Sequence, residues 1–153
     1  MGSTFWFTLP LDTKRTDIEL SPDIPVQSEE TPRSDRHHSI LIAEDVYENY
    51  FLLETLFGKQ YQLYHALNGQ EAIDMFETYH PDLILMDIKM PVMDGFEATR
   101  RIRTLSKTIP IIALTAFAFE REKEIAKQCE FTDYVVKPID IKELKKLIVK
   151  VLA

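Results

Sequence analysis

The sequence has little cysteine, no long apolar run and no excess of basic residues. Its single cysteine, Cys129, cannot form an internal disulfide, and nothing else indicates an oxidising compartment. No apolar run approaches the roughly 18 to 20 residues that a membrane-spanning helix needs. The formal net charge of −7 argues against a nucleic-acid surface, because such a surface needs clustered lysine and arginine. We therefore expect a cytoplasmic chain that itself contacts neither nucleic acid nor membrane.

The composition of the sequence changes near residue 38. Its 153 residues leave room for one domain with a proper core and some excess. Residues 12–38 combine several prolines with scattered charge and few apolar side chains, which predicts a flexible linker. Before the linker, residues 3–11 alternate aromatic and small side chains, a strand-like pattern without a nearby partner strand. The globular domain is therefore expected over residues 39–153.

From residue 39 onward, short apolar runs alternate with segments whose apolar residues recur at helical spacing. Continuous apolar runs are typical of strands that are covered on both faces of a sheet. The alternation predicts right-handed βα units and a parallel sheet with helices on both faces. The helical pattern over 119–128 is more charged than the others. The predicted strands are 39–43, 61–66, 82–86, 110–114 and 132–136.

Four charged residues fall at the ends of these apolar runs. Glu44 and Asp45 follow the first run, Asp87 follows the third, and Lys137 follows the last. Because the carboxyl ends of parallel strands open onto one crevice, we expect these side chains to meet there. Three carboxylates would repel one another without a cation, and clustered oxygen ligands suit a hard ion such as Mg²⁺. The pattern predicts a metal site that faces a lysine.

Four motifs in this region occur together in a characteristic order and spacing. They are IAED, LILMDIKMPVMDGFEATRRIR, IIALTAF and DYVVKPID. In combination they resemble the receiver domain of response regulators, over residues 39–153. The resemblance implies a flavodoxin-like, doubly wound α/β fold whose five-stranded parallel sheet has the order 2-1-3-4-5. It also implies that the crevice above the strand ends is a phosphorylation site.

The resemblance implies a role for each acidic residue of the crevice. Asp87 would be the nucleophile, whose carboxylate accepts a phosphoryl group as an acyl phosphate. Glu44 and Asp45, together with Asp87 and the backbone carbonyl of Lys89, would hold Mg²⁺. Catalysis of this kind is mostly positioning and electrostatic stabilisation. The domain would thereby catalyse its own phosphorylation and dephosphorylation, although we expect no kinase catalytic domain in this chain.

Three further residues match the pattern of the family. Lys137 would pair with Asp87 at rest and with the phosphoryl group afterwards, and Pro138 resembles the cis-proline that aims this lysine inward. The Thr115 hydroxyl would hydrogen-bond the phosphoryl group. Tyr134 matches the switch aromatic, whose ring would move inward as Thr115 is drawn toward the phosphate.

Each of these residues, taken alone, has a simpler interpretation. Asp45 is also suited to be the N-cap of the next helix, and Lys137 to be a solvated surface charge. Thr115 fits an ordinary strand position, and Tyr134 fits a half-buried aromatic. Their joint occurrence at the strand ends favours the functional interpretation.

The chain departs from the pattern of the family at two positions. Glu130 stands four residues before Tyr134, where the family usually has glycine, so the turn there is expected to differ. Val46 follows the acidic pair where receivers of hybrid kinases often have asparagine. The pair Asp94–Gly95 is a turn signal before a helix, and we assign it no chemistry.

The N-terminal residues carry a second resemblance. The run GSTFWFTLPL is similar to the last strand of the ATP-binding domain of histidine kinases, so residues 1–11 are expected to be a remnant of that domain. No nucleotide-binding pattern GxxxxGK[ST] is present, and no output domain is expected after residue 153. Linker and receiver then suggest the C-terminal end of a hybrid sensor kinase, either soluble or the cytoplasmic end of a membrane-bound one.

Such a receiver has an expected source and destination for its phosphoryl group. The source would be the His-containing dimerisation domain of a sensor kinase. The destination would be a histidine phosphotransfer protein, unless the receiver instead regulates its parent kinase.

Two other classes of function remain open at this point. A phosphohydrolase of the haloacid dehalogenase type also has an aspartate nucleophile after a strand. It needs a second aspartate two residues later, where this chain has Lys89. A pseudo-receiver would use the same fold to bind a partner without phosphorylation. Mg²⁺ binding and phosphorylation of Asp87 discriminate between these classes.

Overall fold

The computed structural model describes residues 37–116, 124–125 and 127–153. These residues belong to one compact unit. Within them, no helix combines the length and the apolar character that crossing a membrane requires. The helices and strands are β1 Ser39–Ala43, α1 Tyr47–Phe57, β2 Gln62–Ala66, α2 Gly69–Tyr79, β3 Leu83–Asp87, α3 Gly95–Leu105, β4 Ile111–Thr115, β5 Asp133–Val136 and α4 Ile141–Leu152.

Several predictions for this chain fall outside the described residues. The kinase-domain remnant at residues 1–11 and most of the predicted linker lie there. So does most of the predicted helix over 119–128, of which the structure describes helical backbone at residues 124–125 and 127–128.

The five strands form one parallel sheet with the order β2-β1-β3-β4-β5, as the family resemblance implies. The register places Ala43 beside Ala66 on one side and beside Met86 on the other. Asp87 pairs with Leu114, and Thr115 pairs with Val136. The carboxyl ends of β1, β3, β4 and β5 therefore reach the same edge of the sheet.

The core consists of two apolar clusters, one on each face of the sheet. Alternate residues of β1 serve both: Ile40 and Ile42 pack toward α1 and α4, whereas Leu41 and Ala43 pack toward α2 and α3. This division follows from the pleat of a strand, which points successive side chains to opposite faces. Strands covered on both sides must be apolar throughout, and β3 is buried at all five positions.

Strands β3 and β4 end one residue later than the sequence predicts, so Asp87 and Thr115 lie inside the ladder. The N–H of Ile88 donates to the Leu114 carbonyl at 3.1 Å, which continues the pairing of β3 with β4. The N–H of Lys137 donates to the Thr115 carbonyl at 2.6 Å. Both functional candidates are therefore held by main-chain hydrogen bonds of the sheet.

The segment between β3 and α3 confirms the predicted turn. The Asp94 side chain accepts a hydrogen bond from the N–H of Glu97 and thereby caps α3. Gly95 lies so close to the backbone of β3 that a Cβ atom there would collide with the Asp87 carbonyl. Glycine at this position lets the chain turn directly beneath Asp87.

Glu130, which occupies the position where the family usually has glycine, adopts a left-handed backbone with φ 58°. Its carbonyl accepts hydrogen bonds from Nε and Nη2 of Arg103, at 2.9 and 2.8 Å. Arg103 is buried on α3 and also donates from Nη1 to the Ile109 carbonyl at 2.7 Å. The turn before β5 therefore keeps the conformation of a glycine turn, and the buried guanidinium holds it in place.

Replacing Glu130 with glycine should stabilise the protein. A left-handed backbone conformation lowers the free energy of unfolding by about 1–2 kcal/mol for a non-glycine residue, and glycine avoids this strain. Glycine also has more conformational freedom in the unfolded state, which removes about 0.5–1 kcal/mol of the gain. We expect Glu130→Gly to raise the free energy of unfolding by about 1 kcal/mol in urea titrations. The matched control is Glu130→Ala, which removes the exposed side chain and its 3.9 Å pair with Lys107 but keeps the strain. A glycine variant no more stable than the alanine variant would contradict the prediction, because the strain would then be too small to outweigh the unfolded-state freedom of glycine.

Candidate active site

Three carboxylates meet at the carboxyl edge of the sheet. Glu44 and Asp45 follow β1, and Asp87 ends the neighbouring strand β3. One oxygen of each side chain lies within 4.8 Å of the others. The predicted convergence of these residues is therefore present in the structure, at the centre of the sheet.

Lys137 reaches the same point from the end of β5. Its Nζ donates to Asp87 Oδ2 at 2.9 Å and to Glu44 Oε2 at 2.8 Å. The peptide bond between Lys137 and Pro138 is cis, as the family pattern implies. The pairing with Asp87 was expected, whereas the equally short contact with Glu44 was not. One ammonium group thus bridges the carboxylates of two adjacent strands.

The three carboxylates differ in how firmly they are held. Glu44 is fully buried, and its Oε1 accepts hydrogen bonds from the N–H of Val46 and from Nδ2 of Asn49, both at 3.2 Å. Asp87 is 6% exposed, and its Oδ1 accepts from the N–H of Lys89 at 3.1 Å. Asp45 is exposed, and it forms no hydrogen bond or ion pair with any described residue. Asp45 is therefore the carboxylate most open to an incoming ligand.

Burial and charge set the protonation of Asp87 and Lys137. Burial raises the pKa of Asp87, and the nearby Glu44 carboxylate raises it further, against the opposing effects of Lys137 and the Lys89 N–H. Burial alone would lower the pKa of Lys137, but its hydrogen bonds and ion pairs with Glu44 and Asp87 outweigh this and raise it. Lys137 therefore stays charged, while ionised Asp87 shares a single cation with a second carboxylate.

Thr115 and Tyr134 lie on the two strands beyond Asp87. Thr115 ends β4 and is half-buried at the same edge of the sheet. Tyr134 pairs with Ala113 in the register of β5 with β4, and 38% of its surface is exposed. The structure thus places Thr115 beside the acidic crevice and Tyr134 farther down the sheet with its ring partly in solvent.

The simpler interpretations of two site residues do not agree with the structure. Val46, rather than Asp45, occupies the N-cap of α1, and no side chain caps this helix. The valine side chain has no oxygen to accept from the first-turn N–H groups, so α1 lacks the capping hydrogen bond that an asparagine or aspartate at this position would supply. The Lys137 side chain is 21% exposed and paired with two carboxylates, so it is not a solvated surface charge.

Sequence reasoning missed two residues that support the acidic pair. Asn49 donates to Glu44 Oε1, and His65 Nε2 lies 2.8 Å from the Glu44 carbonyl oxygen. Asn49 was detectable, because it lies one helical turn after Asp45 at the start of α1 and so faces the strand end. His65 was not, because its contact depends on the register of β2 with β1.

The arrangement suits a hard divalent cation. Three carboxylates and one ammonium group leave an excess of negative charge at a partly buried site. The donor atoms are oxygens, which Mg²⁺ and similar ions prefer, and Asp45 has unused ligand capacity. The residues present therefore fit such an ion.

Comparison with protein-family models gives a match at residues 40–149 to the response regulator receiver domain. Among curated proteins, Regulatory protein AtoC of Escherichia coli is 38% identical over 114 residues, which are 74% of this chain and 25% of that protein. Sporulation initiation phosphotransferase F of Bacillus subtilis is 34% identical over 117 residues, 76% of this chain and 94% of that protein. Sensor protein EvgS of Escherichia coli is 33% identical over 150 residues, 95% of this chain and 12% of that protein.

Two solved structures share the fold, and one contains a bound metal ion whereas the other contains a bound protein. The receiver domain of sensor histidine kinase PA1611 from Pseudomonas aeruginosa contains magnesium in its active-site cleft. It is 34% identical with a TM-score of 0.70, and the match covers 75% of this chain and 97% of that one. The co-crystal of the Saccharomyces cerevisiae phosphotransfer protein Ypd1 with the receiver domain of Ssk1 also has a TM-score of 0.70. There the identity is 31%, with 74% of this chain and 87% of that one covered.

Ionisation of Asp87 should lower the stability of the metal-free protein. Because its pKa is raised above the ordinary 3.8, the folded state binds more protons than the unfolded state just above that pH, and stability falls as pH rises. The raised pKa of Lys137 contributes stability that is lost only as pH rises above 10.5, so it is constant in this window. Asp87→Asn cannot ionise, so its free energy of unfolding relative to that of wild type should increase as the pH rises from about 4 to 7.

Urea unfolding in EDTA across this pH range measures the difference between the two proteins. The control is Asp74→Asn, which changes an exposed aspartate on α2. A stability difference between Asp87→Asn and wild type that stays constant with pH would contradict the raised pKa.

Proposed function

The chain belongs to the response regulator receiver domain family, and from that premise we propose that it accepts a phosphoryl group on Asp87 in a Mg²⁺-dependent phosphorelay. The observation that carries the proposal is the position of Asp87. Asp87 is the last residue of the central strand β3. Its carboxylate accepts a hydrogen bond from Lys137 at 2.9 Å and has an oxygen within 4.8 Å of oxygens of two further carboxylates. This constellation joins a nucleophile, a cation-binding group and a fixed positive charge.

Glu44, Asp45 and Asp87 would hold Mg²⁺, with the backbone carbonyl of Lys89 as a further ligand. The acidic cluster and the magnesium in the related PA1611 receiver support this assignment. When bound, the ion supplies positive charge to offset the charge of the phosphoryl oxygens. Of the three carboxylates, Asp45 needs the least rearrangement to bind Mg²⁺, because it has no hydrogen bond or ion pair with a described residue that would have to break.

Asp87 is the carboxylate best placed to be the nucleophile. A carboxylate oxygen would attack the phosphorus of a phosphohistidine, forming the O–P bond of an acyl phosphate while the N–P bond breaks. The electron pair of that bond returns to the imidazole, which takes up a proton. Hydrolysis of the acyl phosphate by water would later regenerate the carboxylate.

Lys137, Thr115 and Tyr134 would respond to the new phosphoryl group. Lys137 already lies 2.9 Å from Asp87, so a small movement transfers its hydrogen bond from the carboxylate to a phosphoryl oxygen. The Thr115 hydroxyl would donate to another phosphoryl oxygen from the end of β4. Tyr134 has its ring partly in solvent, and inward movement of that ring would carry the signal to the β4–β5 side of the domain.

An exposed apolar patch beside the crevice suits a protein partner. Tyr47 is 62% exposed and Phe51 is 54% exposed, and their stacked rings lie one turn apart on α1, next to Val46. Tyr50 and Leu53, on the other side of the helix, pack into the core instead. We assign the patch to the helix that carries the donor or acceptor histidine, either in a kinase dimerisation domain or in a histidine phosphotransfer protein. The Ssk1 receiver crystallised with Ypd1 supports a partner of this kind.

The parent protein would be a hybrid sensor kinase. The similarity to EvgS extends over 95% of this chain and so includes residues before the receiver, although the chain spans only 12% of that protein. We propose that residues 1–11 end a kinase ATP-binding domain, that residues 12–38 form a linker and that residues 39–153 form the receiver.

Phosphorylation by a small donor tests this function directly. Intact wild-type protein incubated with Mg²⁺ and acetyl phosphate should gain the mass of one alkali-labile phosphoryl group, and EDTA should prevent the gain. Asp87→Asn should show none, because it lacks the accepting carboxylate. The matched control is Asp82→Asn, just before the first residue of the same strand, where the side chain accepts hydrogen bonds from the N–H and the hydroxyl of Ser39. It should be phosphorylated like wild type.

Two outcomes would contradict the proposed function. Phosphorylation of Asp87→Asn would show that another residue is the acceptor. Failure of wild type to react, with acetyl phosphate and with a kinase as donor, would favour a pseudo-receiver.

A further inference from the structure

The peptide group between the two metal-binding candidates lies just beyond the end of a β ladder. The last main-chain bond between β1 and β2 runs from the N–H of Glu44 to the Ala66 carbonyl, at 3.0 Å. Strand β2 then turns away, and the N–H of Leu67 donates to Glu71 Oε2 at 2.8 Å. In the described part of the chain, no main-chain N–H donates to the Glu44 carbonyl. The sheet alone therefore leaves this carbonyl without a donor.

The ring of His65 supplies the missing hydrogen bond. His65 lies on β2, and its Nε2 is 2.8 Å from the Glu44 carbonyl oxygen. A carbonyl oxygen only accepts hydrogen bonds, so Nε2 must carry the proton and donate it. A side chain thus extends the β1–β2 ladder by one hydrogen bond at the point where the acidic pair begins.

The position of the His65 ring is fixed by a second contact. The ring stacks on Tyr50 of α1, with centroids 3.6 Å apart and planes inclined by 3°. Tyr50 is itself held, because it is buried and its hydroxyl donates to Glu54 Oε1 at 3.1 Å. The histidine is therefore clamped between the first helix and the peptide that follows β1.

The Glu44 carbonyl and the Asp45 N–H belong to one peptide plane. A hydrogen bond that fixes the carbonyl fixes this plane, and with it the position of the Asp45 Cα atom and the direction of its N–Cα bond, from which the Asp45 side chain departs. Asp45 has no described partner of its own, so its placement depends on the backbone. Glu44 differs, because Lys137, Asn49 and the Val46 N–H hold its carboxylate directly.

We infer that His65 is a positioning residue: by holding the Glu44–Asp45 peptide plane from β2, it preorganises Asp45 to bind a divalent cation. This inference rests on the proposed function, because it concerns the same cation. Outer partners that orient metal ligands commonly contribute tenfold or more to metal affinity. His65 is such an outer partner, although it hydrogen-bonds the backbone carbonyl of Glu44 and not a side chain that would bind the cation.

Two substitutions separate the hydrogen bond from the packing of the ring. His65→Phe keeps an aromatic ring against Tyr50 but removes the donor. His65→Gln removes the ring but carries an amide N–H at nearly the position of Nε2. Mg²⁺ affinity should follow the donor, whereas the stability that comes from stacking should follow the ring.

The test is a titration of the full chain with Mg²⁺, followed by the amide signals of Asp45 and its neighbours in ¹⁵N–¹H spectra. This readout gives the dissociation constant without any phosphorylation. His65→Phe should bind Mg²⁺ about tenfold more weakly than wild type. His65→Gln should bind nearly as tightly as wild type, even though its midpoint of thermal unfolding is lower.

Four results would overturn the inference. Wild-type affinity in His65→Phe would show that the hydrogen bond does not matter, and equal weakening in both variants would show that retaining a donor at this position does not preserve Mg²⁺ affinity. NMR spectra of the His65 imidazole in the wild type would also overturn the inference if they place the proton of the neutral ring on Nδ1. This measurement does not depend on the folding of either variant. Absence of Mg²⁺ binding by wild type would reject the proposed function and the inference together.

Discussion

The ammonium group of Lys137, shared by the carboxylates of Glu44 and Asp87, is the interaction on which the site depends. Both contacts are shorter than 3 Å, and both carboxylates are nearly or fully buried. Two buried carboxylates on adjacent strands would otherwise repel each other at the centre of the sheet. The lysine also connects the end of β5 with β1 and β3, across the intervening strand β4. It therefore fixes the relative positions of the ends of β1, β3 and β5 before any ligand arrives.

The surroundings of this bridge make the crevice stiff on one side and open on the other. Gly95 lets α3 begin directly under Asp87, and Asp94 caps that helix. Arg103, from the same helix, holds the left-handed turn at Glu130 from which β5 starts. Asp45 faces solvent without a described partner, so the carboxylate that is most free to bind a cation is also the one that a cation can reach most easily.

Much of this architecture was predictable from the sequence, because it depends on local patterns. Apolar runs gave the five strands to within one residue, and the charged residues at their ends identified the crevice. The ends of β3 and β4 were placed one residue early, because an aspartate and a threonine break the apolar pattern while the backbone pairing continues. Contacts that depend on register and helix rotation were not predictable. These include Lys137 with Glu44 and His65 with the Glu44 carbonyl.

The central claim is that Asp87, and neither of its acidic neighbours, carries the phosphoryl group. Its most direct test is chemical mapping of the modified residue. The protein is phosphorylated, reduced with borohydride, which converts an acyl phosphate into an alcohol, and digested for peptide sequencing by mass spectrometry. The account predicts homoserine at position 87 and unmodified acidic residues at positions 44 and 45. Reduction at Glu44 or Asp45, with Asp87 intact, would contradict it.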